Sequence, residues 1–252
     1  MASKQVTDRQ KSADSVIAGG ETHAEAIQQA LAELVKPPLK KGEGPPDVGH
    51  VVRFSCGLLR AAKDRMVKAD EAHEAELSDD PPVRAARESA QAALRLDLVN
   101  LREMIIGVYG QPTAAKLFVG STPEDPVVLS RFAGEVADNF KKIKLPAPRV
   151  KGAKLDADDA IASLTDKRAQ LDATLEGVQR EVREAQKTLG AKNAAIAAYD
   201  RTFTGVATTI SGLLLLVGET ELAAKLRPSA RRAGQTAEGA GDDTEPEAPP
   251  EK

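Results

Sequence analysis

The apolar residues of this chain recur in alternating steps of three and four, and that spacing restricts most of it to α-helix. The clearest run is Ile196, Tyr199, Phe203, Val206, Ile210, Leu213 and Val217. Residues so spaced line one stripe of a helix, and a stripe of this length has to be covered by another helix. Leu94, Leu98, Leu101, Ile105 and Val108 read the same way, as do Leu129, Phe132, Val136, Phe140 and Ile143. A further run is Ile161, Leu164, Leu171, Leu175, Val178, Val182, Ala185 and Leu189, with only Arg168 out of character. The expected class is all-α, an antiparallel helical bundle with coiled-coil-like seams joined by short turns.

Prolines, glycines and capping residues divide the pattern into elements. Thr22-His23-Ala24-Glu25 has the form of a capping box, and Ile27, Leu31, Leu34 and Val35 follow on one face until Pro37-Pro38. A basic link, KPPLKKGEGPPD, leads to a helix expected over about 48–77, with Leu59, Ala62, Met66, Ala69 and His73 as its seam. Asp79-Asp80-Pro81-Pro82 predicts a stop and a new start, and Gly110 closes the next helix after Tyr109. Thr122-Pro123-Glu124 predicts another N-terminus, and KLPAPRVKGAK a second basic link. Gly190 predicts a turn between helices over about 156–189 and 191–217, and Arg227-Pro228 ends a short final helix.

Laying Val108 on Val217 brings VYGQPTAAKL (108–117) onto VGETELAAKL (217–226) without a gap. The same offset places Ile27 on Val136, Leu31 on Phe140, Pro37 on Pro146, Met66 on Leu175, His73 on Val182, Leu94 on Phe203 and Leu101 on Ile210. Heptad seams slide into register cheaply, but an ungapped block, a proline link and a turn agreeing at one offset point to tandem duplication. The expectation is two helical-hairpin units, 21–119 and 120–228, sharing one core, because three elements alone bury a core only thinly. Residues 1–20 are polar and end on Gly19-Gly20, and residues 229–252 are rich in acid, Gly and Pro without large apolar side chains. Both are expected to be disordered tails.

The same features narrow the function. Hydrophobic residues make up 41% of the 252, yet aromatics are 3% and Trp is absent, so Ala, Leu and Val carry the seams. A net charge of −3 exerts no global pull on nucleic acid or anionic lipid. Lys36, Lys40 and Lys41 in one link, and Lys141, Lys142, Lys144, Arg149, Lys151 and Lys154 around the other, form local basic patches. No aromatic residues interleave with them for base stacking, so nucleic acid is not expected, and an acidic protein partner suits them better. The stretch from Gly205 to Val217 is apolar but falls well short of the roughly 20 residues a spanning helix needs. The polar start has no apolar core of a secretory signal, and the single Cys56 cannot close an internal disulfide, so a cytoplasmic location is expected.

No catalytic, cofactor-binding or metal-binding residue is assigned. Asp47–His50 and Asp70–His73 share a D-x-x-H spacing, but the first begins in a Pro/Gly link and the second half has no histidine. His73 falls on an apolar seam, and Cys56 has no His nearby in sequence. GEG at 42–44 is not a phosphate loop, and G-x-S-x-G and H-E-x-x-H are absent. A polar pocket lined by His73, Asp70 and Glu76 would revive an enzymatic reading. The leading expectation is a non-catalytic scaffold or adaptor acting through protein–protein contact or self-association, with no cofactor and no evident small-molecule substrate. The alternative is a pore-forming-like bundle that coats membranes or granules and frees its 205–217 segment.

Overall fold

A computed structural model describes residues 3–35, 44–150, 152–153 and 155–237. Among the described residues six helices follow one another: α1 (Lys4–Val35), α2 (Val48–Tyr109), α3 (Gln111–Leu117), α4 (Pro126–Lys142), α5 (Ala157–Leu216) and α6 (Thr220–Leu226). Among the described residues there is no strand, only an isolated bridge between Pro228 and Thr236. The chain is all-α.

The turns expected at Asp79–Pro82 and Gly190 do not form. Pro81 and Pro82 lie inside α2, a helix of 62 residues, and Gly190 lies inside α5, of 60. A proline within a helix costs about 3 kcal/mol and a glycine about 1. Each of these helices, however, is anchored on both sides of the weak point by seam residues that are withdrawn from water. In α2 these are Leu59 and Met66 before the prolines and Leu94 and Leu98 after them. Full burial of one such side chain contributes about 1.5–3 kcal/mol, so the seam outweighs the local signal.

The chain divides into two compact units that are not consecutive stretches. One comprises Met1–Ala75 with Gln186–Lys252, the other Glu76–Ala185. Each long helix therefore gives one half to each unit, and so do the stretches 21–119 and 120–228. Each unit has its own hydrophobic cluster.

In the first unit, α1 and α6 pack with the first half of α2 and the second half of α5 around Ile27, Val52, Leu59, Met66, Tyr199, Phe203, Ile210 and Leu226. The α2 and α5 halves run antiparallel: Asp70 meets Lys192 at 2.6 Å, and His73 meets Thr188 at 3.0 Å. Gly19-Gly20 is not a stop but a point of close approach. A Cβ on Gly20 would lie 2.7 Å from Cys56 Sγ and 2.9 Å from Ile210 Cδ1, and one on Gly19 would lie 2.7 Å from Leu226 Cδ1. The glycines let α1 settle onto its neighbours.

The expected N-terminal tail is thus helical from Lys4, because its polar residues have partners far along the chain. Arg9 forks onto Asp200, with Nε–Oδ1 at 2.8 Å and Nη2–Oδ2 at 3.0 Å, and the Tyr199 hydroxyl donates to the Arg9 carbonyl at 2.7 Å. The start of the expected C-terminal tail, 229–237, is also ordered. Ser229 N–H donates to the Gln235 carbonyl and Ala237 N–H to the Arg227 carbonyl, and Gln235 and Thr236 are buried. Residues 238–252 lie outside the described residues, as do Pro37 and Pro38.

In the second unit, α3 and α4 pack with the second half of α2 and the first half of α5 around Leu94, Leu98, Ile105, Leu117, Phe118, Leu129, Phe132 and Leu164. Asp97 meets Ser163 at 3.2 Å and Lys167 at 2.5 Å across the two helix halves. The N-terminus of α4 is capped by Asp125, which accepts from the Val127 and Val128 amides, rather than by the expected Thr122. Gly110, at φ +90°, makes the corner between α2 and α3, a backbone region open chiefly to glycine. Arg102 sits 5.3 Å above the Phe118 ring and donates to its carbonyl, holding the far end of that corner.

Several expected seam residues are not covered. Leu34 is 59% exposed, and Val182 and Leu189 are each 43% exposed.

Candidate functional site

The polar residues singled out in the sequence fall into separate places. In the first unit Asp70 is fully buried and accepts three hydrogen bonds, from the Ser3 amide (2.8 Å), the Ser3 hydroxyl (3.0 Å) and Lys192 Nζ (2.6 Å). Burial is the largest single influence on this carboxyl and raises its pKa. Lys192 and the two Ser3 donors together outweigh it and leave the group below its ordinary value. Its oxygens are committed to holding the start of α1 against α2 and α5. His73 is buried, with Nδ1 3.0 Å from the Thr188 hydroxyl.

Cys56 is fully buried and its thiol donates to the Ile17 carbonyl at 3.8 Å. Burial, and then the nearby Glu21, push the thiol pKa up, so it is a poor nucleophile. Tyr199 is driven the same way, by burial first and then by Asp200.

Three carboxylates gather in the second unit. Glu76 from α2 and Glu181 and Glu184 from α5 each present an oxygen within 4.8 Å of the others. The Glu76 Oε1 atom is buried without a hydrogen-bond partner. Burial, then Glu184, Glu181, Asp79 and Asp80, raise the Glu76 pKa. Oxygen donors of this kind suit a hard divalent cation such as Ca²⁺ or Mg²⁺. Glu184 is exposed, so the cluster opens to solvent.

Cavities among the described residues of the same unit include the following pair. One, of about 390 Å³, lies among Asp97, Asn100, Met104, Asp156, Asp159 and Ser163. The other, of about 560 Å³, is lined by Tyr109, Leu145, Pro146, Pro148, Gly152, Ala153 and Leu155 beside the second basic link. The basic residues are only partly placed: Lys141 and Lys142 end α4, Lys144 and Arg149 are exposed, and Lys36, Lys40, Lys41, Lys151 and Lys154 lie outside the described residues.

The feature least visible in the sequence is an exposed apolar face on α2 in the first unit. Val51, Phe54 and Leu58 repeat at helical spacing, and Phe54 is 60% exposed. They lie away from Val52, Cys56 and Leu59, which face the core of that unit. The apolar 205–217 segment, by contrast, buries Val206, Ala207, Ile210 and Leu214, leaving Leu215 and Leu216 exposed at its end. No helix is long and apolar enough to cross a membrane among the described residues.

No family model, curated protein or solved structure matches the chain.

Proposed function

We propose that the protein is a non-catalytic helical scaffold or adaptor that works by binding another protein through the first unit. The observation that carries this reading is the exposed Val51–Phe54–Leu58 face. At the offset that lays Val108 on Val217, the corresponding side chains on α5 are Ala160, Ser163 and Lys167, which are small or polar. The apolar face is therefore not something the repeated architecture requires. An unpaired stripe of this kind is the usual footprint of a partner helix or groove.

We further propose that the scaffold arose by tandem duplication, with the two copies exchanging halves of their long helices in an antiparallel bundle. Three features support this. The offset that carries Gln111–Leu117 of α3 onto Thr220–Leu226 of α6, end on end, also carries Val48, where α2 begins, onto Ala157, where α5 begins. The buried Leu94, Leu98, Leu101 and Ile105 fall on Phe203, Ala207, Ile210 and Leu214, all buried. Ala114 and Leu117 likewise fall on Ala223 and Leu226, also buried. Each unit then combines the entry helix and first half-helix of one copy with the second half-helix and corner of the other, which is the logic of a domain swap within one chain.

The test of the adaptor reading is association. Light scattering and affinity capture would compare the full chain with a Phe54→Glu/Leu58→Glu variant. The variant should keep its helicity and melting temperature while losing self-association or a captured protein. A chain that is monomeric and captures nothing, or a variant that associates like the parent, would contradict the reading. The membrane-surface alternative rests on Leu215 and Leu216 alone, since the rest of that segment's seam supports the core.

A further inference from the structure

Resting on the reading that the exposed α2 face binds protein, we propose that its partner is a second copy of this chain, docked antiparallel. Asp47 of each copy then meets Arg65 of the other, and Phe54 meets Leu58. In the first unit α2 carries stripes with different surroundings. Val52, Leu59 and Met66 enter the core. Arg53, Arg60 and Lys63 turn to α1, where they pair with Glu25 at 3.5 Å, Glu21 at 2.8 Å and Asp14 at 2.6 Å. A third stripe is Asp47, Val51, Phe54, Leu58, Ala61 and Arg65, every one of them exposed. Its steps are 4, 3, 4, 3 and 4 residues, the spacing of a coiled-coil seam. One seam of α2 is therefore filled from within the unit, and a second faces outward and stays open among the described residues.

The outward steps read the same from either end. Turned end for end about a point between Phe54 and Leu58, the stripe lays Asp47 on Arg65, Val51 on Ala61 and Phe54 on Leu58. Two copies thus cover the apolar positions mutually and form opposite-charge pairs at both ends, which is the self-complementarity a two-fold axis demands. A parallel pairing would set Asp47 on Asp47 and Arg65 on Arg65, so the charges select the antiparallel one. Both charges are held along the helix. Asp47 Oδ1 accepts from the His50 amide at 2.8 Å, and Arg65 Nε donates to the Ala61 carbonyl at 3.1 Å. Among the described residues neither has an ion-pair partner. The seam is about 27 Å long. A single helix seam is at the small end of specific interfaces, so the dimer should form and dissolve with concentration.

Light scattering over a dilution series of the full chain tests the assignment. The parent should pass from monomer to dimer and no further. Phe54→Glu/Leu58→Glu should stay monomeric. Asp47→Lys sets like charges against Arg65, and Arg65→Glu sets them against Asp47, so each alone should weaken dimerisation roughly fivefold or more at low salt. An equimolar mixture of those two variants should dimerise about as tightly as the parent, because the mixed pair restores opposite charges at both ends. Asp47→Lys also loses a helix cap, but rescue on mixing requires both chains folded, so fraying cannot imitate it. A parent that is monomeric throughout, growth past the dimer, or a mixture no heavier than its components would overturn the second-copy assignment. A monomeric parent that captures another protein through Phe54 and Leu58 overturns it while leaving the adaptor reading standing. A dimer unaffected by Phe54→Glu/Leu58→Glu overturns both.

Discussion

Asp70 and Lys192 lie far apart along the chain, and together with Ser3 they close one end of the first core. Removing one partner leaves the other charge buried, a loss of about 3–5 kcal/mol. Asp70→Ala should therefore lower the melting temperature sharply, while Asp70→Leu/Lys192→Met should cost much less than the two single changes added. The folded pKa of Asp70 is below its unfolded value, so its contribution is complete above the ordinary carboxylate range and is lost as pH falls through the folded pKa. Glu76 has the opposite sign. Its folded pKa is raised, so the folded state holds its proton more tightly, and stability falls as pH rises above the ordinary Glu value. Glu76→Gln should stabilise the protein at neutral pH and flatten that pH dependence in thermal melts. In the sequence Asp70 stood out only for its spacing to His73. Its partnership with Lys192 was not legible, since a buried ion pair spanning so much chain leaves no local pattern.

At the scale of elements the 3/4 seams predicted the helices well, while the punctuation misled. Gly19-Gly20, Pro81-Pro82 and Gly190 all carry stop signals, and helix runs through each of them. Local propensity is worth about 1–3 kcal/mol at such positions, and packed seams on either side exceed it. The glycine pair is required for closeness rather than for a turn. Gly20→Ala should overpack the contact with Cys56 and Ile210 and cost about 1–3 kcal/mol. Cys56→Ala in the same chain should restore part of that, as read in denaturant titrations. Replacing both prolines of α2 by alanine should raise helicity and stability, because two backbone hydrogen bonds become possible. A loss of stability on that change would mean that the prolines support a turn. Gly110 and Gly218 are different: both have positive φ and both precede short helices carrying Ala-Ala-Lys-Leu, as their place in the sequence predicted.

For the molecule as a whole, the seam pattern was legible in the sequence but the path of the long helices was not. A hairpin within each of the stretches 21–119 and 120–228, and long helices that give one half to each unit, both satisfy a 3/4 seam, so periodicity cannot choose between them. The choice is made at residues 79–82 and 190, where α2 and α5 continue instead of turning back. The same scale frames function: the two stretches share a seam pattern and differ elsewhere, at Val51, Phe54 and Leu58 against Ala160, Ser163 and Lys167.

In the first unit the first half of α2 pairs with the second half of α5. The Asp70–Lys192 and His73–Thr188 pairs set a register that brings the exposed positions 65 and 197 level with each other. In a Cys56→Ala chain, spin labels at Arg65→Cys and Ala197→Cys report the distance between them by pulsed dipolar spectroscopy. Helix axes lie about 8–10 Å apart in such pairs, so with the label arms the distribution should centre at roughly 20–30 Å. A distribution with no component below about 35 Å would contradict that pairing, because no packed helix pair holds level positions so far apart.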